Sequence, residues 1–300
     1  MTALILHNPR SGKGRSAALV AALSDALRAR GLEPRAVEAG SPEFPAALRD
    51  ARAAAIIGGD GTVHHALPAL AAARTPIWIL PTGTENLLAR ELRMTPDAEA
   101  AAAAIQRAAH RPMDLGVARL GDDRHPFAVM LSVGPDASVI HRLAQRRTGA
   151  ISHASYIRPI LAELLRPALP ALRVEADGDA LVADRRGLLL IANCRQYALR
   201  VDPAPDADPA DGLLDVVFLP CSTAIGAALW LLRARLRRAA RHPRAVRARA
   251  ANVRIALGPG EPASPLPLQM DGEAVGAGAG PLQVSAAPAA LAVLSPAGPS

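Results

Sequence analysis

Ala53-Ala54-Ala55-Ile56-Ile57 runs directly into Gly58-Gly59-Asp60-Gly61-Thr62, and this junction decides how the chain is read. An apolar run that ends in glycines reads as a buried strand turning sharply into a loop. Val63 to Ala72 follow as helix formers interrupted only by Pro68. The motif therefore sits between a strand and a helix. Glycine lets the backbone approach a ligand closely, and the unpaired N–H groups of a helix start favour anions. Asp60 places one carboxylate among those donors. Its charge would repel a phosphate, so its use beside one is to manage Mg²⁺, a proton or a hydroxyl. The reading is a nucleotide-phosphate site with chemistry attached; a bare Gly-Asp-Gly also reads as a tight turn.

The same texture extends on both sides. Ala3–Leu6 reads as a strand, Ser16–Arg30 as a helix stopped by Gly31, Pro34–Val37 as a strand and Phe44–Ala51 as a short helix. Ile77–Leu80 is a further apolar strand. Thr84–Leu92 and Pro96–Ala109 read as helices, the second capped by Thr95 with Pro96 at its first position. Strand–helix alternation implies a parallel sheet covered on both faces, with ligands bound beyond the carboxyl ends of its strands. Three loops fall there: Asn8–Gly14, Gly58–Thr62 and Pro81–Asn86. The first is no P-loop, since His7 and Gly14 stand where glycine and Ser or Thr are needed. It carries Lys13, the only lysine of the chain, and reads either as a phosphate-facing turn or a solvated one. The last adds the Gly83 backbone and the Thr84 hydroxyl and Asn86 amide as a second set of polar groups.

Beyond Arg111-Pro112 the pattern becomes β-rich. Val117–Leu120, Phe127–Val133, Leu172–Ala176, Leu188–Ala192, Leu213–Leu219, Val253–Leu257, Leu282–Val284 and Leu291–Leu294 read as strands, with helices at His153–Leu165 and Thr223–Ala240. Asp177-Gly178-Asp179 reads as a hairpin turn. Two domains are expected, residues 1–112 with 286–300 returning to them, and 113–285.

Composition narrows the function. The net charge of +7 favours anionic partners. Aromatic residues make up 2%, too few for stacking on single-stranded nucleic acid, and no nucleic-acid partner is expected. Cys194 and Cys221 form neither a disulfide framework nor a metal-ligand pattern, which fits a reducing cytosol. No run reaches the roughly 18 apolar residues of a membrane span, and Ala3–Leu6 is too short for a signal peptide. A cytoplasmic protein is expected, peripheral at most to the inner face of a membrane. The arginines from Arg233 to Arg249 alternate with Leu231, Leu232 and Leu236. Such a segment suits an anionic bilayer surface, and equally a solvated helix face.

Taken in order, Asn8-Pro9-Arg10-Ser11-Gly12, Gly58 to Thr62 and Pro81-Thr82-Gly83-Thr84-Glu85-Asn86 through Arg90 resemble the diacylglycerol kinase catalytic family, which includes bacterial lipid kinases and sphingosine and ceramide kinases. Ser132-Val133-Gly134-Pro135-Asp136-Ala137, Asp211-Gly212-Leu213-Leu214-Asp215-Val216 and Met270-Asp271-Gly272-Glu273 resemble its later motifs. The chain departs from the family pattern at Leu87, at Val37–Ala39 and at Pro135.

The resemblance implies an N-terminal α/β nucleotide-binding domain, a C-terminal β-sandwich and a chain end returning to the first domain. It implies an ATP-dependent kinase acting on a hydroxyl of a diacylglycerol-like or sphingoid lipid at an anionic membrane surface. Gly58, Gly59, Asp60, Gly61, Thr62, Val63, His64 and Thr84 would hold ATP, with Asn8 nearby, and Asp60 would join a Mg²⁺ and water network. Glu273 would be the general base; read from the residues alone it is an exposed hairpin acid. Asp208, Asp211 and the Leu213 carbonyl would hold a structural Mg²⁺; read alone they are an acidic loop. NAD kinase, which shares Gly-Gly-Asp-Gly-Thr, is the nearest enzyme alternative, and a non-catalytic nucleotide- or membrane-binding protein is the alternative of another class. Oligomeric state is not legible.

Overall fold

The computed structural model describes residues 1–134, 137, 169–195, 197, 201–261, 267–276 and 280–296. The chain divides into two units, Met1–Met113 with Ala289–Ser300, and Asp114–Pro288.

In the first unit, strands β1 (Thr2–His7), β2 (Glu33–Glu38), β3 (Ala53–Gly58) and β4 (Ile77–Pro81) are parallel, in the order β4-β3-β1-β2. Every residue of β3 is buried, which is why it reads as an unbroken apolar run and not as an alternation. The end of the last strand, β15 (Leu282–Leu294), returns to lie parallel to β4, pairing Val293 with Ile77. Helices α1 (Arg15–Arg28), α2 (Phe44–Asp50), α3 (Asp60–Ala73), α4 (Leu87–Glu91) and α5 (Ala98–Arg107) connect these strands, α1 packing on α5 and α2 on α3.

Two helix starts differ from the sequence expectation. Asp97, not Thr95, caps α5: its carboxylate accepts the N–H groups of Glu99 at 2.9 Å and Ala100 at 3.1 Å, leaving Pro96 outside the helix. The helix expected from Thr84 begins only at Leu87, because Asn86 adopts φ 52° and its amide closes a loop on Gly83.

The second unit is a β-sandwich. β8 (Ala171–Ala176), β12 (Asn252–Leu257) and β15 form one antiparallel run. β10 (Leu214–Pro220) with β11 (Val246–Ala250), and β13 (Pro267–Met270) with β14 (Glu273–Gly276) and β7 (Met130–Val133), build the facing one. β5 (His110–Leu120) pairs with β6 (Asp123–Phe127) and β15. The long β9 (Asp179–Ala192) serves both layers, pairing with β8 over its first half and with β7 and β10 over its second. It crosses at Gly187, where a Cβ would lie 2.6 Å from the Leu219 carbonyl oxygen and from the Phe218 ring. Leu172, Val174, Val253 and Ile255 from one layer meet Leu189, Ile191, Val216 and Phe218 from the other in a single buried core.

The expected hairpin at Asp177-Gly178 is present, with φ 49° and 93° joining β8 to β9. Three expectations are corrected. Phe127–Val133 is two strands, since the N–H groups of Ala128 and Val129 turn away to a carboxylate described below. Leu282–Val284 and Leu291–Leu294 belong to one strand. The helix expected over Thr223–Ala240 is α6 (Ala224–Arg235), capped by Thr223, whose hydroxyl accepts Gly226 N–H at 3.1 Å; the arginine-rich stretch beyond it ends in strand β11. The helix expected at His153–Leu165 lies outside the described residues, as do Pro135 and Asp136. Among the described residues no helix is long and apolar enough to cross a membrane.

Candidate active site

In the first unit the carboxyl ends of β1, β3 and β4 release three loops that are bonded to one another. Asn8 N–H donates to the Ile57 carbonyl at 3.1 Å, and Thr82 N–H to the Gly58 carbonyl at 3.0 Å, which extends the sheet ladder into the loops. The Asn8 side-chain amide donates to Thr62 Oγ1 at 3.3 Å, and the hydroxyls of Ser11 and Thr82 lie 2.7 Å apart. Gly59 and Gly83 face each other so closely that a Cβ on Gly83 would stand 2.8 Å from Gly59 Cα. Glycine at both positions is thus a condition of the loops meeting.

Two helices begin at this rim, α1 after Gly14 and α3 after Gly59, and neither start carries a side-chain cap. The first amides of an uncapped helix and the positive end of its dipole attract anions. Thr62 is buried and Val63 packs inward, so these two position the turn, whereas Gly61, His64 and Asp60 are half-buried. Asp60 opens α3 and its Oδ1 accepts the Leu88 N–H at 3.4 Å, tying α3 to α4. Asn86 is committed to Gly83, accepting its N–H at 2.8 Å and donating to its carbonyl at 2.8 Å. Thr84 is exposed on the same loop. The structure therefore gathers Asn8, Gly58 to His64, Gly83, Thr84 and Asn86 around one set of strand ends. Their hydroxyl, amide and carboxylate oxygens are the hard donors that suit a magnesium-bound phosphate.

In the second unit Glu273 is the first residue of β14, half-buried and opposite Met270. Asp271 and Gly272, at φ 51° and 85°, make the two-residue turn before it. Asp271 is the residue that sequence reasoning passed over. It is buried, and its carboxylate accepts three backbone amides: Ala128 at 2.8 Å, Val129 at 2.8 Å and Met130 at 3.1 Å. The fully buried Gln269 completes the anchor, donating to Ser132 Oγ at 2.7 Å and Tyr197 OH at 2.9 Å and accepting Gly272 N–H at 2.8 Å. The Asp-Gly turn signal was visible in sequence; the amides it binds lie some 140 residues earlier and were not.

Asp208, Asp211 and Leu213 share one loop. Asp208 Oδ1 accepts Ala210 N–H at 3.1 Å, and Asp211 Oδ1 accepts Leu213 N–H at 2.9 Å. Asp211 Oδ2 is bound by the Arg249 guanidinium, while the buried Asp114 accepts Gly212 N–H at 2.7 Å. A cation at Asp211 would take the place of Arg249 as the partner of Oδ2. Next to it, burial pushes the half-buried Asp215 carboxyl above its ordinary value, against the pull of Arg249. Burial also pushes the Cys221 thiol up to about 11, which makes it a poor nucleophile at neutral pH.

A parallel α/β unit with uncapped helix starts at its strand ends suits an anionic ligand such as a nucleotide phosphate, and a β-sandwich follows it in the chain. The diacylglycerol kinase catalytic domain matches residues 2–118, and the YegS C-terminal NAD kinase beta sandwich-like domain matches residues 129–295. A diacylglycerol kinase of Mycobacterium tuberculosis (strain CDC 1551 / Oshkosh) is 31% identical over 224 residues, which is 71% of each chain. Two solved structures from Bacillus anthracis str. Sterne, both named for a diacylglycerol kinase, share the fold. Their TM-scores are 0.74 and 0.70 at 17% and 15% identity, covering 98% and 99% of this chain and 97% of each of theirs. The chain belongs to the diacylglycerol kinase catalytic family. It is a lipid kinase, a phosphotransferase with an alcohol group as acceptor and ATP as phosphoryl donor.

Proposed function

We propose that this kinase phosphorylates a hydroxyl of a diacylglycerol-like or sphingoid lipid, working from the cytoplasmic side at an anionic membrane surface. The observation that carries the nucleotide half of this reading is the contact of Gly59 with Gly83, which holds the β3 and β4 loops together beside the uncapped start of α3. Phosphoryl transfer asks a protein mainly for positioning and for charge neutralisation. The α1 and α3 starts supply backbone donors, Asn8 and Thr62 fix the loop on which those donors sit, and Thr84 adds an exposed hydroxyl. Mg²⁺ accompanying the nucleotide would neutralise phosphate charge, and Asp60 is the carboxylate at hand to hold it or its water.

Glu273 takes the proton of the lipid hydroxyl as that oxygen bonds to the γ-phosphorus; the bond from phosphorus to the β,γ-bridging oxygen breaks and ADP leaves. Asp271 serves this step indirectly by pinning the turn that presents Glu273. The sandwich match bears the name of NAD kinase, so NAD is the alternative acceptor to exclude. Radiolabelled ATP offered with mixed lipids and then with NAD decides: label in a chloroform-soluble product supports the lipid reading, label in NADP supports the alternative, and no label in either leaves a nucleotide-binding protein without transfer.

A further inference from the structure

Apart from Met1, every large hydrophobic residue exposed among the described residues lies on α6 or its last turn: Ile225, Leu229, Leu231, Leu232 and Leu236. Ile225, Leu229, Leu232 and Leu236 are 74%, 44%, 56% and 55% exposed. Their spacing of i, i+4, i+7 and i+11 places them in one stripe along a helix. The opposite side is the attached one. Trp230 and Ala234 are buried, and the Trp230 indole donates to the Pro220 carbonyl at 2.9 Å. The helix thus turns one apolar side inward and a second one outward. A solvated helix does not need the second, and singly scattered exposed leucines would not form a row.

The charges beside the stripe are of one sign. Residues 221–250 hold eight arginines and no Asp or Glu. Arg237, Arg247 and Arg249 are paired with Asp202, Asp206 and Asp211. Arg233 lies over the Trp230 ring at 5.2 Å. Arg235, Arg238, Arg241 and Arg244 have no carboxylate partner among the described residues. Arg233 and Arg235 fall on either flank of the stripe by helical geometry. Beside the helix an open groove lined by Thr223, Leu229, Trp230, Arg233, His242 and Arg244 is likewise free of acids.

We propose that α6 and the turn after it are the membrane-docking surface of this kinase, the leucine stripe entering the acyl boundary of an anionic bilayer while the flanking arginines meet lipid phosphates. An apolar row flanked by cations is the pattern of an interfacial helix. A symmetric pairing of this face with that of a second copy is disfavoured, because it would bring arginine against arginine with no acid to answer. The proposal rests on the lipid-kinase reading for its partner, but its test does not depend on turnover.

The test is cosedimentation of the full chain with vesicles of phosphatidylcholine alone or mixed with phosphatidylglycerol. Binding is expected to strengthen by about tenfold or more on the anionic vesicles and to weaken with salt. Leu229→Ser with Leu232→Ser should weaken it by roughly tenfold or more at any lipid charge. Arg235→Gln with Arg238→Gln should weaken it by roughly tenfold on anionic vesicles only. Because these side chains are exposed, both variants should keep the wild-type thermal transition and the wild-type turnover of detergent-dispersed lipid. Absence of vesicle binding, binding unchanged in the leucine variant, or a wild-type dimer that the leucine variant converts to monomer overturns the proposal. Vesicle binding that follows this pattern in a protein with no kinase turnover would sustain the docking surface and defeat the lipid-kinase reading.

Discussion

Two aspartates, each followed by glycine, show how differently one residue pair can be used. Asp271 is buried, and its carboxylate is filled by the amides of residues 128–130 at 2.8 to 3.1 Å. Asp60 is half-buried at an uncapped helix start, with a long 3.4 Å bond from Leu88. The first holds a hairpin in place, and the second stands where a ligand's charge would be met. Local sequence makes a hairpin turn at Asp271 and a helix start at Asp60; what surrounds each carboxylate decides what it can do.

That contrast can be broken by exchanging each carboxylate for its neutral relatives. Asp60→Asn should lower turnover by about 10³-fold, at the upper end of what one electrostatic group contributes, while calorimetry finds the thermal transition near wild type. Asp271→Ala should do the reverse first, destabilising the protein by about 3 kcal/mol as three buried amides lose their acceptor, read as a fall in the chemical-denaturation midpoint. If Asp60→Asn unfolds the protein, or Asp271→Ala leaves stability intact, the contrast fails.

Glu273→Gln sharpens the division within one hairpin: kcat should fall by about 10²-fold with stability preserved, and unchanged turnover removes Glu273 from the mechanism. Gly83→Ala tests the loop contact directly. The new methyl would press on Gly59 backbone, so a loss of about 1–3 kcal/mol in stability is expected, together with weaker ATP binding by calorimetric titration.

The smallest effect belongs to Asp215. Burial raises its carboxyl above 3.8, so between 3.8 and the raised value the native state binds more protons than the unfolded one. Wild-type stability therefore falls as pH rises through that window. Asp215→Asn should flatten this slope and be the slightly more stable protein at neutral pH, in denaturant melts run across pH.

Much of the first unit was legible because its strands are buried on both faces, so β1, β3 and β4 appear as plain apolar runs ending in glycine- or proline-bearing loops. The sandwich was harder. β11 reads Val-Arg-Ala-Arg-Ala, an alternation with arginine outward, and it merged in sequence with the arginines of the preceding helix. β9 looked short because its first half carries Asp184, Arg185 and Arg186 on an exposed stretch, yet the ladder with β8 includes Arg185 and Arg186 and resumes at Val182 beyond an irregularity at Asp184. The short α4 was overestimated because Asn86 could close on Gly83 only once the loop had its left-handed turn.

By itself the amino-acid order determined the strand–loop–helix junctions, the glycines that let loops approach, the excess of arginine and the ordered motifs by which the family is recognised. These depend on neighbours a few residues apart, whose periodicity and backbone preferences are written locally. Tertiary structure alone decided which polar groups are already satisfied: that Asp271 is bound by amides far upstream, that Asp211 faces Arg249, and that the leucine row of α6 looks outward while Trp230 looks in. Burial and hydrogen-bond partnership belong to pairs of distant segments, so no local pattern of residues can specify them.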